Sequence, residues 1–175
     1  AAKKGVSAIR RKAGKNSGYG WVPDLPDHRD FMYSAVLRVP ARLPRSVDLR
    51  YLCSRVEDQG QLGSCTGNAL AGALEFLERK DKVSFIDFSR LFIYYNERLI
   101  ERTTKSDAGA MIRDGIKTLG KQGVCSEKTW PYIISKFAVK PNAACYKEAM
   151  QHRITSYHRI MTLDEMRACL AGGFP

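Results

Sequence analysis

Apolar residues recur at helical spacing in three places along the chain, and each recurrence is opened or closed by a residue that suits a helix end. Leu70, Ala73, Leu74 and Leu77 form one stripe, following a loop rich in glycine and glutamine, DQGQLGSCTGNA at residues 58–69. The spacing predicts a helix there with Ser64 as its N-cap, and Gly67 and Ala69 keep its start slim. Leu91, Phe92, Tyr95 and Leu99 form a second stripe, with Ser89 placed to cap it. MIRDGIKTLGKQGV, from residue 111, reads as a third helix after a turn at residues 106–110, with Gly123 as its C-cap. Farther on, Ile154, Thr155, Tyr157 and Ile160 supply the content of a strand with imperfect alternation. Thr162 and Glu165 then make a capping box for a short helix through Leu170, which Gly172, Gly173 and Pro175 end.

The start of the chain lacks such a pattern. Residues 1–20 hold too few large apolar side chains to fold alone and read as a basic flexible arm. Residues 21–46 carry four of the seven prolines and are expected to run extended over a surface, with Trp21, Leu25, Phe31, Met32 and Tyr33 as anchors. The organisation is therefore an arm at 1–20, an extended Pro-rich segment at 21–42, a helical unit at 43–150 and a strand and helix at 151–175.

Composition narrows the class. With 175 residues, 44% hydrophobic and 27% charged, the chain is long enough for a globular domain, and no apolar run approaches a membrane span. Of the net charge of +11, six charges lie on Lys3, Lys4, Arg10, Arg11, Lys12 and Lys15 with no acid among residues 1–15. That cluster suits an acidic partner, nucleic acid or simple solvation. The five cysteines have no C-x-x-C spacing, and neither phosphate-binding glycine loop is present, so metal and nucleotide chemistry have no support in the sequence.

The chemistry lies at the first stripe. The loop delivers Cys65 to the first turn of a helix, where unpaired backbone N–H groups and the helix dipole favour a thiolate. Gln59 lies six residues upstream, within reach for its amide N–H and the Cys65 backbone N–H to share the charge of a tetrahedral intermediate. A free cysteine on a packing helix is the competing interpretation.

Gln-Gly-x-x-Gly-Ser-Cys at this spacing resembles the papain family of cysteine peptidases, in its bacterial-type form. WVPDLPDHRDF from Trp21 looks like the segment preceding the catalytic domain, which crosses the cleft as an inhibitory propeptide or packs beside it. LPRSVDLR from Leu43 resembles the start of the mature domain, and Trp130-Pro131-Tyr132 the family's aromatic-Pro-Tyr corner. The resemblance implies an α+β, papain-like two-domain fold, present as the helical left half plus the start of the β-rich right half. It implies a thiol endopeptidase made as a zymogen and acting on peptide or protein substrates, with Cys65 and Gln59 catalytic. Gly63, Ser64, Gly109, Ala110 and Met111 would bind substrate, Gly109 letting a peptide pair edge-on, and Met111 and Ile112 would wall an apolar pocket. No cofactor is implied.

The resemblance also exposes departures. The family's proton-carrying His and its Asn lie roughly 130 to 150 residues beyond the nucleophile, past residue 175. They would come from a second chain or a missing C-terminal half; otherwise His28, His152 or His158 substitutes, or the chain is a catalytically inactive scaffold within a larger assembly. Thr66 stands where relatives carry tryptophan. Leu62 and Asp107 stand where the family places a disulfide-bonded pair. The other four cysteines, Cys53, Cys125, Cys145 and Cys169, make two disulfides or stay as thiols.

Overall fold

The computed structural model describes residues 19–175. The basic cluster at residues 1–15, with the acidic or nucleic-acid partner expected for it, lies outside the described residues. Among the described residues five α-helices run in the order α1 (Cys65–Lys80), α2 (Arg90–Ile100), α3 (Ile112–Lys121), α4 (Ala143–Ala149) and α5 (Leu163–Ala171). No helix among the described residues is long and apolar enough to cross a membrane.

The core is the packing of α1, α2 and α3. Helix α1 buries Thr66, Gly67, Leu70, Ala71, Glu75 and Phe76, a face rotated from the expected stripe, since Ala73, Leu74 and Leu77 are only half-buried. Helix α2 starts as expected: Ser89 Oγ accepts the Phe92 N–H at 3.1 Å. Its burial is not that of an amphipathic helix. Every residue from Arg90 to Arg98 is buried while Leu99, assigned to the stripe, is 45% exposed. The physical reason is that α2 is wrapped: α1 and α3 cover two sides, and Tyr146 of α4 meets the Phe92 ring at 5.1 Å. Close approach of α1 and α2 depends on Gly67, where a Cβ would press on Arg90 O and Tyr94.

A wrapped helix must satisfy its own charges. Arg98, wholly buried, donates to the carbonyls of Thr104 (3.1 Å), Ser106 (3.0 Å) and Phe137 (2.5 Å), and its guanidinium lies 4.0 Å from the Tyr94 ring centre. Those bonds pin the turn that leads into α3. Helix α3 ends at Gly123, whose φ of 76° and N–H bonds to the Thr118 and Leu119 carbonyls are those of a left-handed C-cap. Asn142 caps α4, and Thr162 with Glu165 forms the expected capping box of α5.

The strand expected from Ile154 to Ile160 does not form. Among the described residues β-structure is limited to isolated bridges, one of which joins Arg159 to Met32. With only the extended segment along one edge, residues 154–160 have a partner for a single pair and no sheet to join.

That extended segment is held differently from what its composition suggests. Trp21, Leu25 and Phe31, expected to anchor it, are 58%, 68% and 64% exposed. Met32 and Tyr33 do meet the rest of the chain, through a backbone bridge to Arg159 and a Tyr33 N–H bond to the Arg159 carbonyl at 2.9 Å, and two of the three carboxylates, Asp24 and Asp30, add to the anchoring. Asp24 accepts the Arg113 N–H at 3.1 Å and Arg159 Nη1 at 3.0 Å, while Asp30 pairs with Arg113 Nη2 at 2.5 Å.

Candidate active site

Cys65 is the first residue of α1, half-buried, at the floor of a cleft. One wall is the loop through Gly63, the other the backbone of Gly109 and Ala110. The loop is stiffened by its own bonds: Gln59 Nε2 donates to the Leu62 carbonyl at 2.9 Å, and the Tyr132 hydroxyl donates to the Gln59 carbonyl at 2.9 Å. Ser64 precedes the helix, but its side chain does not cap it. The hydroxyl is buried against Tyr132 Oη (2.5 Å) and accepts Asn68 Nδ2 (3.1 Å). The competing partner is the aromatic corner at 130–132, and the side chain of Ser64, expected to face substrate, is turned away from the cleft.

The extended segment fills the cleft. Gly20 donates its N–H to Cys65 Sγ at 3.3 Å. Immediately after that contact, Ala110 N–H donates to the Gly20 carbonyl at 2.8 Å and Val22 N–H to the Ala110 carbonyl at 2.9 Å, a parallel bridge of Trp21 with Ala110. The border expected between residues 20 and 21 thus cuts through the piece lying on Cys65. Gly109, with φ of 72°, packs against Gly20, and Ala110 rather than Gly109 makes the edge-on pairing. A Cβ at Gly20 would collide with Gly63 O.

Met111 and Ile112 are half-buried. Met111 N–H donates to Glu101 Oε1 at 2.8 Å, and Ile112 with Ile116, Trp21 and Phe31 lines a cavity of about 420 Å³. The histidines lie elsewhere. His152 packs edge-on against Phe88 at 5.5 Å between ring centres, and His28 and His158 are exposed. All five cysteines are free. Cys125 contrasts with Cys65: it is fully buried, and its thiol is pushed up by burial first and then by neighbouring Cys145 and Glu148. Beneath the cleft, Thr66 fills the position after Cys65 with a hydroxyl that donates to Glu97 Oε2 at 2.7 Å. Burial pushes the Glu97 carboxyl up to about 8, against the lowering effect of the Thr66 bond, so it is protonated at neutral pH.

Sequence reasoning missed Gly20, Asp107 and Glu97. A signal existed for the first, since glycines flanking a tyrosine in NSGYGW mark a place where two backbones can approach. The role of Asp107 showed only as a departure from a cysteine, and Glu97 sat in an unremarkable polar end of its helix.

No protein-family model matches the sequence. It is 38% identical over 184 residues to an uncharacterized peptidase C1-like protein of Acanthamoeba polyphaga mimivirus, taking in 90% of this chain and 59% of that protein. The crystal structure of xylellain, a cysteine protease from Xylella fastidiosa, superposes with a TM-score of 0.82 at 46% identity, over 93% of this chain and 66% of that one. Digestive procathepsin L 3 of Tenebrio molitor shares the fold, with a TM-score of 0.62 at 18% identity over 81% of this chain and 44% of its own. The chain thus spans less than two thirds of the length of these relatives. The helices, the cleft and the likeness together place it: the chain belongs to the papain-like cysteine peptidases, of which it spans the N-terminal, helical part.

Proposed function

We propose that this is the nucleophile-bearing part of a papain-like thiol endopeptidase, held in a latent form by its own N-terminal segment. The observation that carries it is Cys65 at the tip of α1 with its sulfur in a cleft that already binds an extended backbone. In the reaction Cys65 Sγ attacks the peptide carbonyl carbon. The thiol proton passes to an imidazole and then to the leaving amine, and water later releases the acyl group from sulfur. The Cys65 N–H and the Gln59 amide hold the oxyanion, and the imidazole and its orienting Asn come from polypeptide outside these 175 residues. Gly109 and Ala110 bind substrate backbone, with Gly63 opposite and Ile112 beside Met111 receiving an apolar side chain.

The segment in the cleft is not itself a substrate. What meets the sulfur is the N–H of Gly20 and not a carbonyl carbon. A peptide bound so blocks the nucleophile without offering it anything to attack.

The test is labelling of the protein with its complete catalytic domain by a thiol-directed peptidyl inhibitor, after the N-terminal segment has been displaced. Selective labelling of Cys65 at neutral pH, loss of hydrolysis in Cys65→Ser, and a rise of about 3 kcal/mol in the barrier for Gln59→Ala are expected. Labelling of Cys65 no faster than that of buried Cys125 would show instead a scaffold without activity, and full turnover by Cys65→Ser would show that Cys65 is not the nucleophile.

A further inference from the structure

The two walls of the cleft come from distant pieces of chain, and a single carboxylate joins them. Asp107 accepts the Gly63 N–H with both oxygens, Oδ1 at 3.1 Å and Oδ2 at 3.0 Å. Its Oδ1 also accepts the Tyr94 hydroxyl at 2.5 Å. Tyr94 Oη in turn accepts the Gly109 N–H at 3.2 Å, so one chain of bonds runs from the cysteine loop through a carboxylate and a phenol to the opposite wall.

The surroundings keep each partner in its role. Burial first, and then the hydrogen bond to Asp107 and its charge, raise the Tyr94 hydroxyl well above its usual range, so it remains a donor to the carboxylate. Arg98 lies over the Tyr94 ring and holds the carbonyls of Thr104 and Ser106, which fixes the approach to Asp107. A Cβ at Gly63 would come within 3.0 Å of Asp107 Oδ1, a measure of how closely the loop is drawn in. Leu62 and Asp107 are the positions at which the family resemblance places a linked cysteine pair; here the join is polar.

Resting on the peptidase reading, we propose that Asp107 is a positioning residue, whose carboxylate sets the spacing between the loop that carries Cys65 and the backbone edge at Ala110 that holds the peptide. The oxyanion donors belong to the first wall and the peptide's own hydrogen bonds to the second. The carbonyl carbon reaches the sulfur only if the two are in register. Charge-assisted bonds to backbone N–H groups are strong enough to keep that register, and a carboxylate supplies acceptors for both donors at once. Asparagine retains one oxygen and sets an NH₂ against the other donor; alanine retains nothing.

The test compares wild type, Asp107→Asn and Asp107→Ala in the protein with its complete catalytic domain, each activated identically. Two readouts are used: hydrolysis of a fluorogenic peptide normalised to folded protein, and hydrogen exchange at the Gly63 amide. Misplacing reacting groups by a fraction of an ångström is expected to lower kcat/KM about tenfold or more in Asp107→Ala, with a raised KM and Asn intermediate. Gly63 protection falls in the same order. A purely structural role would lower the melting temperature and leave the normalised kcat/KM of all three equal, and that result overturns the proposal. Should Asp107→Ala not fold, Asp107→Asn carries the same comparison. A wild type that hydrolyses no peptide while Gly63 still loses protection in the variants sinks the peptidase reading, not the join. Unchanged Gly63 exchange in an active enzyme sinks the join.

Discussion

The three-helix core and the segment lying in its cleft are built on opposite principles. In the core, Leu91, Phe92, Ile93 and Tyr94 are wholly excluded from solvent, and even Arg98 is internal. The segment from Tyr19 to Pro40 leaves its tryptophan and phenylalanine largely in water and stays in place through backbone pairing with Ala110 and the two arginines on Asp24 and Asp30. Apolar burial is non-directional and costly to undo, whereas a hydrogen bond exchanged for one to water changes the free energy by only about 0.5–1.5 kcal/mol. On the proposed reading the cleft holds its own segment as an inhibitor and later gives it up, and it has reason to use the second kind. A floor that must keep a sulfur at a helix tip has reason to use the first.

The contrast breaks most sharply at Phe92. Removing its ring leaves a void among α1, α3 and α4, and Phe92→Ala is expected to destabilise the domain by about 3–5 kcal/mol. Urea denaturation monitored by circular dichroism measures it. A cost under about 1 kcal/mol would mean that the core is no better packed than the segment above it.

Gly20→Ala addresses the other side. The added methyl has nowhere to go, because Gly63 O and Gly109 Cα already enclose Gly20. An overpacking strain of about 1–3 kcal/mol is to be relieved by lifting the segment, since the polar contacts at Asp24 and Asp30 do not depend on residue 20. Alkylation of Cys65 by iodoacetamide should therefore accelerate roughly tenfold or more while the denaturation midpoint barely moves. Equal rates in the two proteins would mean that the segment does not shield the sulfur.

The same division decides what could be read from the sequence. Features set by neighbours a few residues away were legible: the Ser89 cap on Phe92, the Thr162–Glu165 box, the glycine that ends α3, and Cys65 at a helix start. Features set by distant partners were not. Ser64 looks like a cap until Tyr132, far along the chain, takes its hydroxyl. Leu99 belongs to an apolar stripe until the wrapping of α2 reaches the polar positions and stops short of it. Of the expected anchors Tyr33 is half-buried while Trp21, Leu25 and Phe31 are exposed, and the part of Asp24 and Asp30 was not legible because Arg113 and Arg159, which hold them, lie far along the chain. Family membership was readable because its motif is local, a run of residues around one cysteine.

Glu97 tests whether the core's burial extends to its charges. Its Oε2 accepts from Thr66, its Oε1 has no hydrogen-bond partner, and Leu70 and Gly115 close around it. A carboxyl near its ordinary 4.5 when unfolded and near 8 when folded binds more protons in the folded state between those values. Its contribution is therefore complete below about pH 4.5 and is lost progressively as pH rises toward about 8, above which the loss is constant. Glu97→Gln removes the titration while keeping the shape, so melting temperatures of wild type and variant should diverge across that window, with the variant gaining relative to wild type toward the alkaline end. The readout is the difference between the two pH profiles, because other acids, buried Glu75 and half-buried Glu101, are also raised and contribute equally to both. Parallel profiles would place the Glu97 carboxylate in contact with water and make this part of the core as open to solvent as the segment in the cleft.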